Sequence, residues 1–355
     1  MYHFVVFPYD RTNEKILTWR ETTSYGTVTD IVSPTGWNMG GKQVNIGNRM
    51  VTIKTKIKDV SNECDSLWVI DNNNKLDFNE DILPVLKLCM EKGWKIFWGR
   101  SCTAEERNQI INMDSCHQVY FLDDFEREQN KNRIYDFKIP VIFIVNMFPK
   151  MQTDFVFMLL YEAINSLGYK TRAVTYRNDF GMYDDVVLLP DFKKNTTDNR
   201  ERIIYLNNYL KAIEKEKVDL FIVEIPGNML EVSKKICGDF GCWQYIFNRA
   251  LQPDYVICNL PYMDTILENY EMLGAVVSQT SGIDIDYYNV VHSYLDVMES
   301  ENNEEFEYMS LSEEFIRKKV GKKEKMGYVF DKEEACNIAT AIIEKLQEYD
   351  NVIML

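Results

Sequence analysis

The feature that most constrains the fold is a continuous apolar run, PVIFIV, at residues 140–145. A strand buried on both faces gives an unbroken hydrophobic run, and such strands occur in parallel sheets that are covered by helices on both sides. A loop follows this run, and then an apolar helical pattern that ends at Gly168. We therefore expect residues 140–167 to form a buried strand, a loop and a helix of a parallel α/β sheet.

Short β-branched or aromatic runs alternate with helical patterns along the rest of the chain, which indicates the α/β class. The predicted strands are residues 4–7, 28–33, 51–57, 67–71, 95–99, 119–123, 140–145, 170–176, 218–225, 254–260 and 274–280. The predicted helices include residues 81–93, 103–113, 153–167 and 199–217. Thr103 and Glu106 have the spacing of a capping box at the start of the second of these helices.

A polar stretch with many charges and no apolar period, residues 123–138, separates two sets of strands and helices. With 355 residues the chain is long enough for two domains. We predict a Rossmann-like α/β domain at 1–125, a linker at 126–138, and a P-loop-NTPase-like α/β domain at 139–355 with a helical C-terminal tail. Both sheets are expected to be largely parallel.

The charge balance argues against two classes of partner. There are 40 Lys and Arg residues against 55 Asp and Glu, a net charge of −15. Nucleic-acid binders need clustered basic residues to neutralise phosphates, so we expect no nucleic-acid partner. The same balance disfavours an anionic membrane surface, and no apolar stretch is long enough to cross a bilayer. The eight scattered cysteines have no C-x2-C spacing, so we expect reduced thiols, a cytoplasmic location and no metal site.

The loop after the 140–145 run stands where a P-loop NTPase holds its phosphates. That motif is G-x4-G-K-[ST]: the glycines let backbone N–H groups surround the phosphates, the lysine reaches the β- and γ-phosphates, and the hydroxyl binds Mg²⁺. Here Asn146 replaces the first glycine and Gln152 replaces the lysine, and only the hydroxyl of Thr153 remains. Lys150, three residues before Thr153, could restore the missing charge.

A second candidate segment, Glu224-Ile-Pro-Gly227, ends the predicted strand 218–225. In one class of P-loop proteins, an acidic residue followed by x-x-Gly lies here and faces the γ-phosphate. Ligands of open α/β sheets bind at the carboxyl ends of strands, so Thr153 and Glu224 could share a crevice. The structural alternative is that Thr153 caps a helix and that residues 224–227 form a turn.

The candidate cofactor-binding residues are therefore Asn146, Lys150, Gln152, Thr153, Glu224 and Gly227. No residue is assigned a catalytic role. The sequence establishes no cofactor, and a nucleotide with Mg²⁺ is the one that this position would accept.

Two other nucleotide sites are disfavoured. Residues 36–42 match G-x4-G-K, but a strand pattern follows them, and without a helix N-terminus there is no dipole to hold a phosphate. A Rossmann-type dinucleotide enzyme would need G-x-G-x-x-G, which the first domain lacks.

Several segments, in order through both domains, resemble the "peptide maturation system protein" family of bacterial cassettes for ribosomally made peptide natural products. They are FPYD…LTWRE (7–21), DIVSPTGWNMGGK (30–42), LWVIDNNNKLDF…I (67–82), IPVIFIVNMF (139–148), LGYKTRAVTYRND (167–179), VDLFIVEIPGNML (218–230) and FGCWQYIFNRALQPDYVI (240–257). The resemblance implies a role beside peptide-modifying enzymes and a fold related to P-loop proteins. It supplies no established catalytic residues.

On this resemblance we expect an accessory protein with a degenerate nucleotide site that binds a precursor peptide or a peptide-modifying partner enzyme. The alternative is an NTP-dependent ligase or kinase-like enzyme that uses Thr153 and Glu224, with Lys150 as a substitute lysine. The sequence leaves the oligomeric state open.

Overall fold

The computed structural model describes residues 1–20, 22–47, 49–72, 76–123, 132–149, 151, 154–189, 198–236, 238–321 and 323–352. The chain divides into two compact units, which are Met1–Glu126 with Arg177–Pro190, and Arg127–Tyr176 with Asp191–Leu355. The chain therefore passes from one unit to the other at 126/127, 176/177 and 190/191.

The described strands are β1 (Tyr2–Phe7), β2 (Gly26–Ile31), β3 (Gln43–Ile46), β4 (Arg49–Thr52), β5 (Ser66–Val69), β6 (Lys95–Trp98), β7 (Val119–Phe121), β8 (Val141–Asn146), β9 (Thr171–Thr175), β10 (Val186–Leu188), β11 (Leu220–Glu224), β12 (Tyr255–Pro261), β13 (Tyr287–Val291), β14 (Ser293–Leu295), β15 (Tyr308–Ser310) and β16 (Met326–Gly327).

The described α-helices are α1 (Glu14–Trp19), α2 (Leu83–Glu91), α3 (Ala104–Met113), α4 (Asp154–Ser166), α5 (Asn199–Glu214), α6 (Cys242–Leu251), α7 (Asp264–Glu268), α8 (Tyr270–Ser281), α9 (Val297–Asn303), α10 (Glu313–Val320) and α11 (Lys332–Val352). Short turns of other helical types include a 3₁₀ turn at Asn178–Met182.

In the first unit, five parallel strands lie in the order β2-β1-β5-β6-β7. Strand order reverses between β1 and β5, as in doubly wound Rossmann-like sheets. β3 and β4 form an antiparallel hairpin. The predicted capping box of α3 is confirmed, because the Thr103 side chain accepts from the Glu106 N–H while the Glu106 carboxylate accepts from the Thr103 N–H.

Residues 177–190 belong to the first unit, although they follow residues 127–176 of the second unit in the chain. Phe180 and Tyr183 lie against Trp19, with ring centroids 5.7 and 4.9 Å apart. The Asp179 carboxylate accepts a hydrogen bond of 2.8 Å from the Asp71 N–H, at the carboxyl end of β5. This short segment therefore completes the core of a unit whose other residues are all before position 127.

In the second unit, parallel strands lie in the order β9-β11-β8-β12-β13-β16. Every residue of β8 is buried, as the unbroken apolar run predicts for a central strand. α4 packs against α11, and α6 packs against both α5 and α8. The second unit is thus a P-loop-like α/β sheet with helices around it.

One predicted strand is wrong. Residues 274–280 lie within α8, and the strand that follows β12 in the sheet is β13 at residues 287–291. A short apolar run does not distinguish a strand from a segment of helix by its periodicity, which is the cause of this error. The α/β class with mostly parallel sheets is confirmed.

Candidate functional site

The candidate site lies at the carboxyl ends of the strands of the second unit, beside the loop that joins β8 to α4. This loop has the strand–loop–helix position of a P-loop, as predicted. Lys150, Gln152 and Thr153 fall outside the described residues, so the substitute lysine and the remaining hydroxyl of the motif stay predictions. The described loop residues are Met147, Phe148, Pro149 and Met151.

These loop residues are packed into the protein. Met147 is fully buried, and Phe148 and Met151 each expose only 7% of their surface. A phosphate-binding loop uses glycines because their lack of a side chain allows the backbone N–H groups to surround an anion. Here apolar side chains occupy that stretch, and Pro149 has no N–H to offer.

The loop backbone is bonded to neighbouring segments. The Met147 N–H donates to the Asn259 carbonyl at 3.0 Å, and the Met147 carbonyl accepts from the N–H groups of Met229 (3.1 Å) and Leu230 (3.3 Å). Residues 229 and 230 follow the Glu224–Gly227 segment, so the two candidate segments are joined to each other through the main chain.

A tyrosine hydroxyl also holds the loop. Tyr308, at the start of β15, donates from its hydroxyl to the Pro149 carbonyl at 2.7 Å. Burial raises the pKa of the Tyr308 phenol above its ordinary value, so the group stays a donor across the physiological pH range. The carbonyl that it bonds belongs to the residue immediately before Lys150.

Glu224 is the last residue of β11 and exposes 2% of its surface. Its carboxylate accepts a hydrogen bond of 2.5 Å from the Thr175 hydroxyl, and Thr175 is fully buried at the end of the adjacent strand β9. A carboxylate needs such partners when it is removed from water. Glu224 is thus held within the sheet, at the carboxyl end of β11.

Asn146 belongs to a row of buried amides that crosses three strands. The Asn259 side chain donates from Nδ2 to Asn146 Oδ1 at 3.0 Å, and Asn289 donates from Nδ2 to Asn259 Oδ1 at 2.8 Å. Asn146 and Asn259 are register partners on β8 and β12, and Asn259 and Asn289 are partners on β12 and β13. Sequence reasoning missed Asn259 and Asn289, although each is a polar residue within a β-branched or aromatic run.

Gly227 has a structural reason to be glycine. Its φ is +89°, and an added Cβ would lie 2.1 Å from a carboxylate oxygen of Asp239. The Asp239 carboxylate accepts from the Asn228 N–H at 2.9 Å, and the Asn228 side-chain carbonyl accepts from the Asp239 N–H at 3.1 Å. Burial raises the pKa of Asp239, opposed by the backbone N–H groups around it. Gly227 therefore gives Asp239 the room to close the segment on itself.

The first unit has its own polar groups at the carboxyl ends of its strands. Arg100 donates to Asn72 Oδ1 at 2.9 Å, and the Ser101 N–H donates to the Asp71 carboxylate at 3.2 Å. The glycine-rich residues 36–42 are followed by strand β3.

Two further features are absent from the parts of the chain that the structure describes. These parts contain no group of three or more His, Cys, Asp or Glu side chains placed to hold a metal ion. Within the same ranges, no helix has both the length and the apolar character needed to cross a bilayer.

Neither a family model nor a curated protein matches the chain. Among solved structures it is similar to a DUF1611 family protein from Anabaena variabilis, with a TM-score of 0.56 and 10% identity over 82% of this chain and 88% of that one. MinD cell division protein from Aquifex aeolicus has a TM-score of 0.31 at 12% identity, over 60% of this chain and 97% of that one. Chloroplast FtsY from Physcomitrella patens has a TM-score of 0.28 at 12% identity, over 59% and 65%. At such identities the first likeness concerns the fold alone, which is the α/β arrangement described above.

Proposed function

We propose that this chain is a cytoplasmic accessory protein in the maturation of a ribosomally synthesised peptide, and that it binds a precursor peptide or a peptide-modifying enzyme. The segments that resemble the peptide maturation system family support the biological setting. The second unit has the strand order and the strand–loop–helix position of a P-loop protein, while its sequence has Asn146 and Gln152 where the phosphate-binding motif has glycine and lysine. The proposal therefore gives the chain a binding role without nucleotide turnover.

The packing of the loop after β8 supports this proposal most directly. Met147, Phe148 and Met151 are buried, and the carbonyls of Met147 and Pro149 accept bonds from residues 229, 230 and 308. For the described part of this loop to surround a triphosphate, Met147, Phe148 and Met151 would have to move out of the core into water, and each buried side chain of this size contributes about 1.5–3 kcal/mol. Glu224, bonded to Thr175, would also have to leave its partner to act on a nucleotide or its water.

The first test of the proposal is a thermal melt of the full chain with and without Mg-ATP and Mg-GTP. A nucleotide at 100 times its dissociation constant would add about 2.7 kcal/mol to the stability of the folded state. We expect no shift. A shift that disappears in Thr153→Ala, together with Mg²⁺-dependent turnover that disappears in Glu224→Gln, would instead support the NTP-dependent ligase or kinase-like alternative.

The binding role is tested by capture on the immobilised full chain. The probes are the precursor peptide and the peptide-modifying enzymes encoded in the same cassette, each purified separately. Retention of at least one of them supports the proposal, and retention of none contradicts it.

A further inference from the structure

Basic residues are concentrated in one short segment of this acidic chain. Six of the nine residues from 317 to 325 are Lys or Arg and one is Glu, whereas the whole chain has a net charge of −15. The rest of the chain is therefore more acidic still. Such segregation of charge creates a local positive potential that attracts anionic groups.

The structure places this segment at the end of α10 and in the turn that leads to β16. Lys318, Lys319, Lys323 and Lys325 are all exposed, and none of them forms an ion pair with a described residue. Arg317 differs from them, because it pairs with Asp331 at 3.0 Å and with Glu334. Lys322 lies outside the described residues. Four ammonium groups are therefore available to a ligand, while the arginine is used to hold α10 to α11.

Aromatic rings lie beside two of these lysines. Lys319 Nζ is 6.0 Å from the ring centroid of Phe315, which exposes 37% of its surface, and Lys323 Nζ is 5.7 Å from the ring of Tyr270. The position of Lys323 is fixed by the hydrogen bond of its N–H to the Met326 carbonyl, at 2.8 Å. The surface thus combines positive charge with apolar area, on backbone that belongs to regular structure or is tied to it.

The helix dipole explains part of this charge. Basic residues in the last turn of a helix stabilise its C-terminus, and Arg317, Lys318 and Lys319 stand there. The stabilisation by the helix dipole falls off within one turn. It therefore does not explain why Lys323 and Lys325, which follow Gly321, are basic.

We propose that the surface formed by Phe315, Lys318, Lys319, Lys323 and Lys325 binds an acidic peptide segment that also carries apolar side chains. This inference rests on the proposed function and specifies the chemistry of the partner. Glu313 and Glu314 precede the lysines in α10, and Glu324 stands between Lys323 and Lys325. The positive charge is therefore short and interrupted, whereas a nucleic acid or a membrane extends far beyond nine residues and needs a continuous basic surface. A short peptide segment can place single carboxylates opposite single lysines and an apolar side chain against Phe315, so it is the occupant that fits this spacing of charge.

The test measures fluorescence anisotropy of a labelled peptide of about twelve residues in which Glu alternates with Leu, titrated with the full chain. The test variant carries Lys318→Gln, Lys319→Gln, Lys323→Gln and Lys325→Gln. The matched control carries four equivalent substitutions at exposed lysines elsewhere, Lys56→Gln, Lys58→Gln, Lys215→Gln and Lys217→Gln. We expect the test variant to bind about tenfold more weakly than the wild type, the control to bind like the wild type, and wild-type affinity to fall as salt is added.

Three results would overturn the proposal: equal affinity of the two variants, equal affinity for a peptide with Gln in place of Glu, or tighter binding to a single-stranded oligonucleotide or to phosphatidylserine vesicles. Equal melting temperatures of the two variants show that a loss of binding is not a loss of fold.

Capture of the precursor peptide or partner enzyme is then repeated on the test variant and on the control variant. If the test variant retains the cassette component as the wild type does, this surface is wrong and the proposed function stands. If the wild type retains none while the labelled peptide depends on the four lysines, the proposed function fails and the surface stands.

Discussion

Gly227 has a φ of +89° and faces the Asp239 carboxylate so closely that an added Cβ would lie 2.1 Å from an oxygen. We expect Gly227→Ala to destabilise the second unit by about 2–4 kcal/mol, since it combines the cost of a left-handed backbone with that of overpacking. Denaturant unfolding of the full chain, followed by far-UV circular dichroism, measures the change.

Gly168→Ala is the matched control for that substitution. Gly168 has a similar φ of +94°, but no atom lies within 4 Å of the position of an added Cβ. We expect Gly168→Ala to lower the free energy of unfolding by the cost of the left-handed backbone alone, about 1–2 kcal/mol. Equal losses in the two variants would show that the contact with Asp239 has no energetic weight. Asp239 follows Gly227 by twelve residues, and spacing alone does not identify the two as neighbours.

At the scale of elements, the loop after β8 is held by a contact from β15, which lies far along the chain. The Tyr308 hydroxyl donates to the Pro149 carbonyl, 159 positions earlier in the chain. We expect Tyr308→Phe to cost about 0.5–1.5 kcal/mol and to speed amide hydrogen exchange in the peptide that covers residues 146–151. The control is Tyr270→Phe, whose hydroxyl bonds to the adjacent Glu271 and which should leave that peptide unchanged. Unchanged exchange in Tyr308→Phe would mean that the hydroxyl does not hold the loop.

The sequence predicted those elements best whose signal is local. The unbroken apolar run of β8 and the capping box of α3 each depend on neighbouring residues, and both were predicted correctly. The segment 274–280 was assigned the wrong type, because β-branched residues in α8 satisfy the composition of a strand while tertiary packing keeps them helical. The buried row of Asn146, Asn259 and Asn289 depends on strand order, which periodicity does not encode. The nucleotide contacts assigned to Lys150, Gln152 and Thr153 stay predictions.

At the scale of the whole molecule, the least predictable feature is the return of the chain to the first unit at residues 177–190. Composition shifts mark places where a chain leaves a domain, and the polar stretch at 123–138 is such a mark. The polar stretch at 191–202 follows residues 177–190, but no such stretch precedes them. Their assignment to the first unit therefore follows from contacts such as those of Phe180 and Tyr183 with Trp19. A cut at 126 would therefore separate the first unit from part of its own core.

Phe180 provides a test of that arrangement, since it is fully buried and lies 5.7 Å from the ring of Trp19. Five of the six tryptophans belong to the first unit, so tryptophan fluorescence during denaturant unfolding reports mainly on that unit. We expect Phe180→Ala to lower its stability by about 3–5 kcal/mol, the usual cost of removing a buried aromatic ring. The control is Phe247→Ala, an equally buried ring of α6 in the second unit, which should change far-UV circular dichroism more than tryptophan fluorescence. If Phe180→Ala left the tryptophan transition in place, residues 177–190 would not be part of the core of the first unit, and the chain would be divided as its linear order suggests.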